Sequence, residues 1–230
     1  MKNDIFWHVC GINNYIDVTQ EQWHAIASSG LIDKIDKIYL TYLGKDRAEI
    51  QWLLDKHPKI TLQNFHEDIK HYERLCLMSL LDYSKNTEAN ILYIHAKGVS
   101  RPDNPHIQDW RRMMEHFLIH RHERCLELIK DYDALGILVC NSGNGERITN
   151  ENHKFHFSGN FWWSKTSYLR NLPSLYQSHI NDLSHNCRWW LCETWLLHAY
   201  PNVKMLELYK DANVHFYKFS PDLKYLNHSF

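Results

Sequence analysis

Ala89-Asn90-Ile91-Leu92-Tyr93-Ile94-His95-Ala96-Lys97-Gly98 is an apolar run that stops abruptly at a histidine, a lysine and a glycine. It reads as a buried strand that delivers polar groups at its C-terminal end. In open α/β sheets that end matters, because the loops leaving the strands frame a crevice where ligands sit. Upstream, strand and helix patterns alternate. Ile5 to Cys10 reads as a strand, Gln20 to Ser29 as a helix stopped by Gly30, and Lys37 to Leu43 as a second strand. Arg47 to Lys56 reads as a helix closed before Pro58, Ile60 to Phe65 as a third strand, and Tyr72 to Ser84 as an apolar helix. Strands separated by roughly ten-residue helical patterns predict βαβ units and a Rossmann-like, mainly parallel sheet flanked by helices.

Downstream, a loop from Val99 to Pro105 leads into a long helix spanning about Ile107 to Lys130. Trp110, Arg111 and Arg112 stand near its start, where unpaired backbone N–H groups favour an anion. Ala134 to Cys140 predicts another buried strand, followed by a polar loop, Asn141 to Lys154, of the length that usually carries function. The run His156-Phe157-Ser158-Gly159-Asn160-Phe161-Trp162-Trp163 matches the opening stretch in its density of aromatic and small polar residues. Lys165 to Leu172 is closed by Pro173, residues 174 to 186 form a polar connector, and Arg188 to Tyr200 predicts an aromatic helix with one internal acid, Glu193. Lys204 to Leu208 reads as a final strand.

Composition narrows the classes. With 230 residues, 44% of them hydrophobic, the chain can bury a proper core. A formal charge of −1 offers no global field for nucleic acid or an anionic membrane, so any anion site must be built locally. The six cysteines are scattered with no CxxC pair, which argues against a zinc ribbon or a redox couple. No apolar run approaches the ~20 residues of a membrane span, and Met1 to Asp4 leave no room for a signal peptide before the first strand. A reducing, cytoplasmic setting is the expectation. Nine tryptophans suit either a core or a pocket that covers a sugar or a flat ring.

The chemistry-bearing residues gather in a few places. His95, Lys97, Arg101, Arg111 and Arg112 fall between a strand end and a helix start, a set suited to a phosphate or diphosphate, or else a solvated basic loop. Glu193 lies among Trp189, Trp190 and Trp195, where a carboxyl could be raised toward the range of a general base, or could simply pair with Arg188. His116 and His120 share a helix face close to His122, a weak metal pattern in a chain with 17 histidines. Neither GxGxxG, nor GxxxxGK[ST], nor GxSxG occurs. No cysteine has a basic neighbour suited to making it a nucleophile.

The motifs Leu92-Tyr93-Ile94-His95-Ala96-Lys97-Gly98, Trp110-Arg111, Asp133-Ala134-Leu135-Gly136 and His156 to Trp163 together resemble a family of bacterial and giant-virus glycosyltransferase-like proteins. Those proteins carry "LYxHTKG", a Trp-Arg helix start, "DxxG" and "HxSGNFWW". The first run is also similar to the His-x-Lys element of rhamnan-synthesis proteins, and His8 and Ser29-Gly30-Leu31 fit the N-terminal pattern, so the resemblance covers roughly Ile5 to Tyr200. Ala96 departs from it, standing where threonine is usual. The resemblance implies a GT-A-like α/β fold in one domain over residues 1–230, with a nucleotide-sugar-binding half to about residue 100 and an acceptor-side half beyond. It implies transfer of a hexosyl or deoxyhexosyl group from a nucleotide-sugar donor to a glycan or lipid-linked hydroxyl acceptor, with inversion preferred.

In that reading Glu193 is the base, with Asp109 behind it. His8, His95, Lys97, Gly98, Trp110, Arg111 and Arg112 bind the donor. His156, Ser158, Gly159 and Asn160 approach the sugar, and Trp162 or Trp163 forms an apolar wall. GT-A enzymes usually hold a divalent ion, Mn or Mg, with Asp-x-Asp at a strand end. Here the literal match Asp131-Tyr132-Asp133 precedes its strand, so the expectation is that Lys97 and the arginines replace much of the metal's charge. The alternative is a degenerate, non-catalytic module that binds a carbohydrate or nucleotide-sugar; a metal-dependent hydrolase comes third.

Overall fold

The computed structural model describes residues 1–141, 155–175, 191–210, 218, 220 and 223–228. The opening run is a strand, Ala89–His95 (β4), at the middle of a seven-stranded sheet. On one side of it lie Lys2–Cys10 (β1), Lys37–Leu43 (β2) and Ile60–His66 (β3). On the other lie Trp162–Lys165 (β8), Ala134–Gly136 (β5) and Met205–Glu207 (β9), giving the order β3-β2-β1-β4-β8-β5-β9. Only β8 runs antiparallel to its neighbours in this sheet. A separate antiparallel pair joins Val139–Asn141 (β6) to Phe155–Phe157 (β7).

Helices fill the connections. Tyr15–Ser28 (α1) and Leu31–Lys34 (α2) follow β1, and Gly30 between them adopts φ +78, a left-handed geometry open to glycine. A 3-10 turn, Arg47–Ile50, and Gln51–Leu54 (α3) follow β2, while Arg74–Asn86 (α4) joins β3 to β4. Beyond β4 come Pro105–Glu115 (α5) and His122–Leu128 (α6), and Thr166–Leu169 (α7) follows β8. This is the expected α/β class, a Rossmann-like, mainly parallel sheet flanked by helices.

Both sheet faces are buried, which is why the strands read as continuous apolar runs rather than alternating ones. Ile5, Trp7 and Val9 of β1 join Leu92 and Ile94 of β4 in one core, while Phe6, Ile91 and Tyr93 join the other. Each fully buried side chain of this size contributes about 1.5–3 kcal/mol. No helix among the described residues is long and apolar enough to cross a membrane.

Two expected elements divide. The strand Ala134 to Cys140 is two strands in two sheets, because Leu138 at φ +55 turns the chain between β5 and β6. The long helix of about 107 to 130 contains a π-helical stretch, His116–His120, between α5 and α6. Its wide turn presents the Leu118 carbonyl to the Trp163 indole N–H at 2.8 Å, while the Arg121 N–H bonds back to the His116 carbonyl at 3.2 Å. Residues 176–190, which take in most of the expected connector and the start of the aromatic helix with Cys187, Arg188, Trp189 and Trp190, lie outside the described residues, as does most of the loop after Asn141.

Candidate active site at the C-terminal edge of the central strand

Four pieces of chain meet where β4 ends. Because β8 runs antiparallel to β4, with Tyr93 opposite Trp162, the turn that precedes β8 reaches the same sheet edge as His95 and Lys97. The crossover from β3 brings the start of α4 there, and residues 191–194, a helical segment, bring Glu193.

The turn after β4 is tightly held. Gly98 has φ +103, its carbonyl accepts from the Arg101 N–H at 2.8 Å, and Asn13 Nδ2 donates to the Val99 carbonyl at 2.6 Å. The His95 carbonyl accepts from Gln22, itself bound to the Trp7 indole, and the Ala96 N–H donates to the His8 carbonyl. Held this way, Lys97 is only 8% exposed, and its Nζ lies 4.3 Å from the centre of the Trp110 ring. A lysine buried this far requires compensating partners. Its charge acts on Glu73, Glu193, His95 and His156.

Burial pushes the Glu193 carboxyl up to about 7, against the pull of Lys97 and with a further push from Glu73. His156 Nε2 stands 3.8 Å from Glu193 Oε2, and burial together with Lys97 takes that imidazole down to about 4, so it meets Glu193 as a neutral ring. Burial would raise Glu73 as well; the His95 and His8 imidazoles, the Tyr93 hydroxyl and Lys97 outweigh it and leave the carboxyl below the ordinary glutamate value. Glu73 accepts from Tyr93 Oη at 2.6 Å and Asn160 Nδ2 at 2.7 Å. Burial lowers both His95 and His8, the latter to about 4. His8 Nδ1 is buried with no hydrogen-bond partner among the described residues.

The turn before β8 supplies the facing wall. Gly159 at φ +86 offers its carbonyl to His95 Nε2 at 2.9 Å, and a Cβ there would overlap Met114 and press on Trp110. Asn160, also left-handed at φ +56, is 1% exposed and accepts from the Trp162 indole at 2.9 Å. Ser158 is buried, with its N–H on the Leu138 carbonyl and its hydroxyl against Cys140.

Several expected site residues are engaged elsewhere. Arg111 is 2% exposed, donates to Glu21 and to the Lys97 carbonyl, and lies 3.4 Å from Glu115, so it braces the Lys97 turn instead of presenting a free cation. Arg112 pairs with Glu21 at 3.2 Å and Asp109 at 3.8 Å. Asp109 sits with it on the solvent side of α5 and accepts from Ser220, apart from the Glu193 cluster. Trp162 and Trp163 are core residues at 1% and 0% exposure, pointing to opposite sheet faces as neighbours in a strand must, with both indole N–H groups bonded internally.

Among the described residues no three His, Cys, Asp or Glu side chains stand where one ion could join them. Asp133 precedes β5 at the opposite sheet edge, where it accepts from the Lys204 N–H and faces Lys165 at 3.5 Å. His122 Nδ1 is bonded to the Ile119 carbonyl at 2.9 Å. Burial lifts the thiols of Cys10 to about 11 and of Cys76 and Cys125 to about 12, far from nucleophilic.

Glu73 escaped the sequence reading. In the expected helix from Tyr72 to Ser84 it is an ordinary first-turn acid; the helix begins instead at Arg74, and the Glu73 side chain makes no capping bond and turns to the sheet edge.

No curated protein matches the chain in sequence. Among solved structures, it is similar to a crystal structure of 4-diphosphocytidyl-2C-methyl-D-erythritol synthase, at 12% identity and a TM-score of 0.47 over 92% of this chain and 91% of that one. The synthase of that name from Anaerococcus prevotii is similar at 11% identity and the same TM-score of 0.47, over 98% and 95% of the two chains. A family model described as Domain of unknown function (DUF8361) matches residues 10–212, and the chain belongs to that family.

Proposed function

We propose that this protein is a glycosyltransferase that moves a sugar from a nucleotide-sugar donor to a hydroxyl of a glycan or lipid-linked acceptor, with inversion. The supporting observation is Glu193, a carboxyl raised by burial to about 7 beside the Lys97 ammonium at the C-terminal edge of β4. A base of that kind is poised to take a proton near neutral pH. In the proposed step the acceptor oxygen attacks the anomeric carbon as its proton passes to Glu193. The bond from that carbon to the diphosphate oxygen breaks, and the diphosphate leaves with the electron pair near Lys97, whose charge stabilises it.

Thermal shift against the common nucleotide-sugars would identify the donor, since a ligand bound only by the folded state raises apparent stability. Release of nucleoside diphosphate would then report turnover. Glu193→Gln should cut turnover by roughly 10²–10⁴-fold while leaving donor binding intact; near-normal turnover would remove Glu193 from the mechanism. Calorimetric titration of nucleoside diphosphate with and without manganese tests whether Lys97 alone suffices, and binding only with the metal would sink that part.

One set of observations favours the alternative of a non-catalytic module. Arg111, Trp162 and Trp163, three residues expected to touch donor or sugar, are engaged by the protein itself. A thermal shift without any release of nucleoside diphosphate would select that reading.

A further inference from the structure

Glu73 has no part in the step just described, yet the fold goes to some length to place it. Tyr72 precedes it at φ +48 and ψ −140, a backbone conformation costly for an aromatic residue. Asn160, which grips its carboxylate, is itself left-handed. The conformation of Tyr72 marks a position that the surrounding structure enforces, and the Asn160 amide also reaches the Cys192 carbonyl at 3.4 Å, which ties Glu73 to the residue before Glu193. Glu73 is 9% exposed, and both of its bonded donors, the Tyr93 hydroxyl and the Asn160 amide, meet the same oxygen, Oε2. A glutamine could accept from both without burying a charge, so the hydrogen bonds alone do not account for a carboxylate here.

We propose that Glu73 is a positioning residue of this site: a fixed, hydrogen-bonded carboxylate whose charge holds the Lys97 ammonium at the β4 edge and sets the field felt by Glu193. The groups that face it are His8 from β1, Tyr93 and His95 from β4, Lys97 beyond it, Cys76 on its own helix, and Cys192 and Glu193 from the 191–194 segment. Glu193 in turn faces Lys97, Glu73, His156, Cys140 and Cys192. Among the described residues Lys97 and Glu73 are the two charged groups that act on Glu193, and their signs are opposite. The negative one opposes ionisation of Glu193, as its upward push on that carboxyl requires. The inference rests on the transfer reading only in calling Glu193 the base.

The test uses the full chain labelled with 13C at the glutamate carboxyls, with the two resonances assigned by their loss in Glu193→Gln and Glu73→Gln. In Glu73→Gln the hydrogen bonds can persist and only the charge goes, so the Glu193 midpoint should fall by on the order of one pH unit. A merely structural Glu73 predicts a folded variant with the Glu193 midpoint unmoved, and that result overturns the proposal. Should the variant fail to fold, the wild type decides. Coupled carboxylates must each show a minor inflection at the other's midpoint, and two independent single-site curves overturn the proposal equally. Because neither readout uses turnover, an inactive protein would defeat the transfer reading while leaving this coupling measurable. Where turnover is found, the acid limb of its pH profile should move down with the Glu193 midpoint.

Discussion

Lys97 shows how one residue's meaning depends on its partners. Read alone it is a cation at a strand end, ready for a diphosphate; in the fold it lies on the Trp110 face and acts on Glu73 and Glu193. Its pull on Glu193 can be measured directly. Replacing Lys97 by methionine keeps the apolar stem and removes the charge, so the Glu193 midpoint should climb above about 7; a midpoint that stays or falls would show that Lys97 does not act on that carboxyl. Lys97, His95 and Glu193 were legible in the sequence because each interrupts an apolar pattern. Glu73 was not, since an acid in the first turn of a helix is unremarkable until the backbone at Tyr72 aims it inward. The pairing of Arg111 is hidden for the converse reason: nothing local announces that Glu21, on another helix, reaches the same guanidinium.

At the scale of elements, the short turn between β7 and β8 does most to assemble the site. It touches His95 through the Gly159 carbonyl, Glu73 through the Asn160 amide, and α5 through the close approach of Gly159 to Met114 and Trp110. Gly159→Ala combines a left-handed φ with overlap against Met114, so it should destabilise the fold by about 2–5 kcal/mol, seen as a lower denaturation midpoint. A loss under about 1 kcal/mol would mean that the turn is looser than its contacts imply. The strand-helix alternation that forecast the sheet is carried by periodicity and survives in the structure from β1 to β4. The breaks at Leu138 and through His116–His120 did not show in the sequence, because each depends on a distant partner. The carbonyl of Leu138 accepts from Ser158, and that of Leu118 accepts from Trp163.

For the molecule as a whole, these buried groups set how stability follows pH. Glu193 and Glu115 are both raised to about 7 by burial, so the folded state holds protons that the unfolded chain releases above about 4.5. Their contribution is fully present below that value and is lost as pH rises through about 7. His8, His116 and His156 are lowered to about 4 by burial, so their contribution is present above about 6.5 and is lost as pH falls toward 4. His95, His120 and His198 are lowered too, which steepens the acid side. Between pH 4.5 and 6.5 at least three histidines oppose two carboxyls, a net gain of at least about 1.4 kcal/mol per pH unit; above 6.5 only the carboxyls still act, and stability declines. Denaturant midpoints measured from pH 4 to 8 should therefore peak near pH 6.5. Glu115→Gln removes one of the two opposing carboxyls, leaves Arg111 its contact with Glu21, and should flatten the decline between pH 6.5 and 8 by about half. If stability instead rises through that window in both proteins, the two carboxyls are ionised well below neutrality, and Glu193 loses the property that makes it a base.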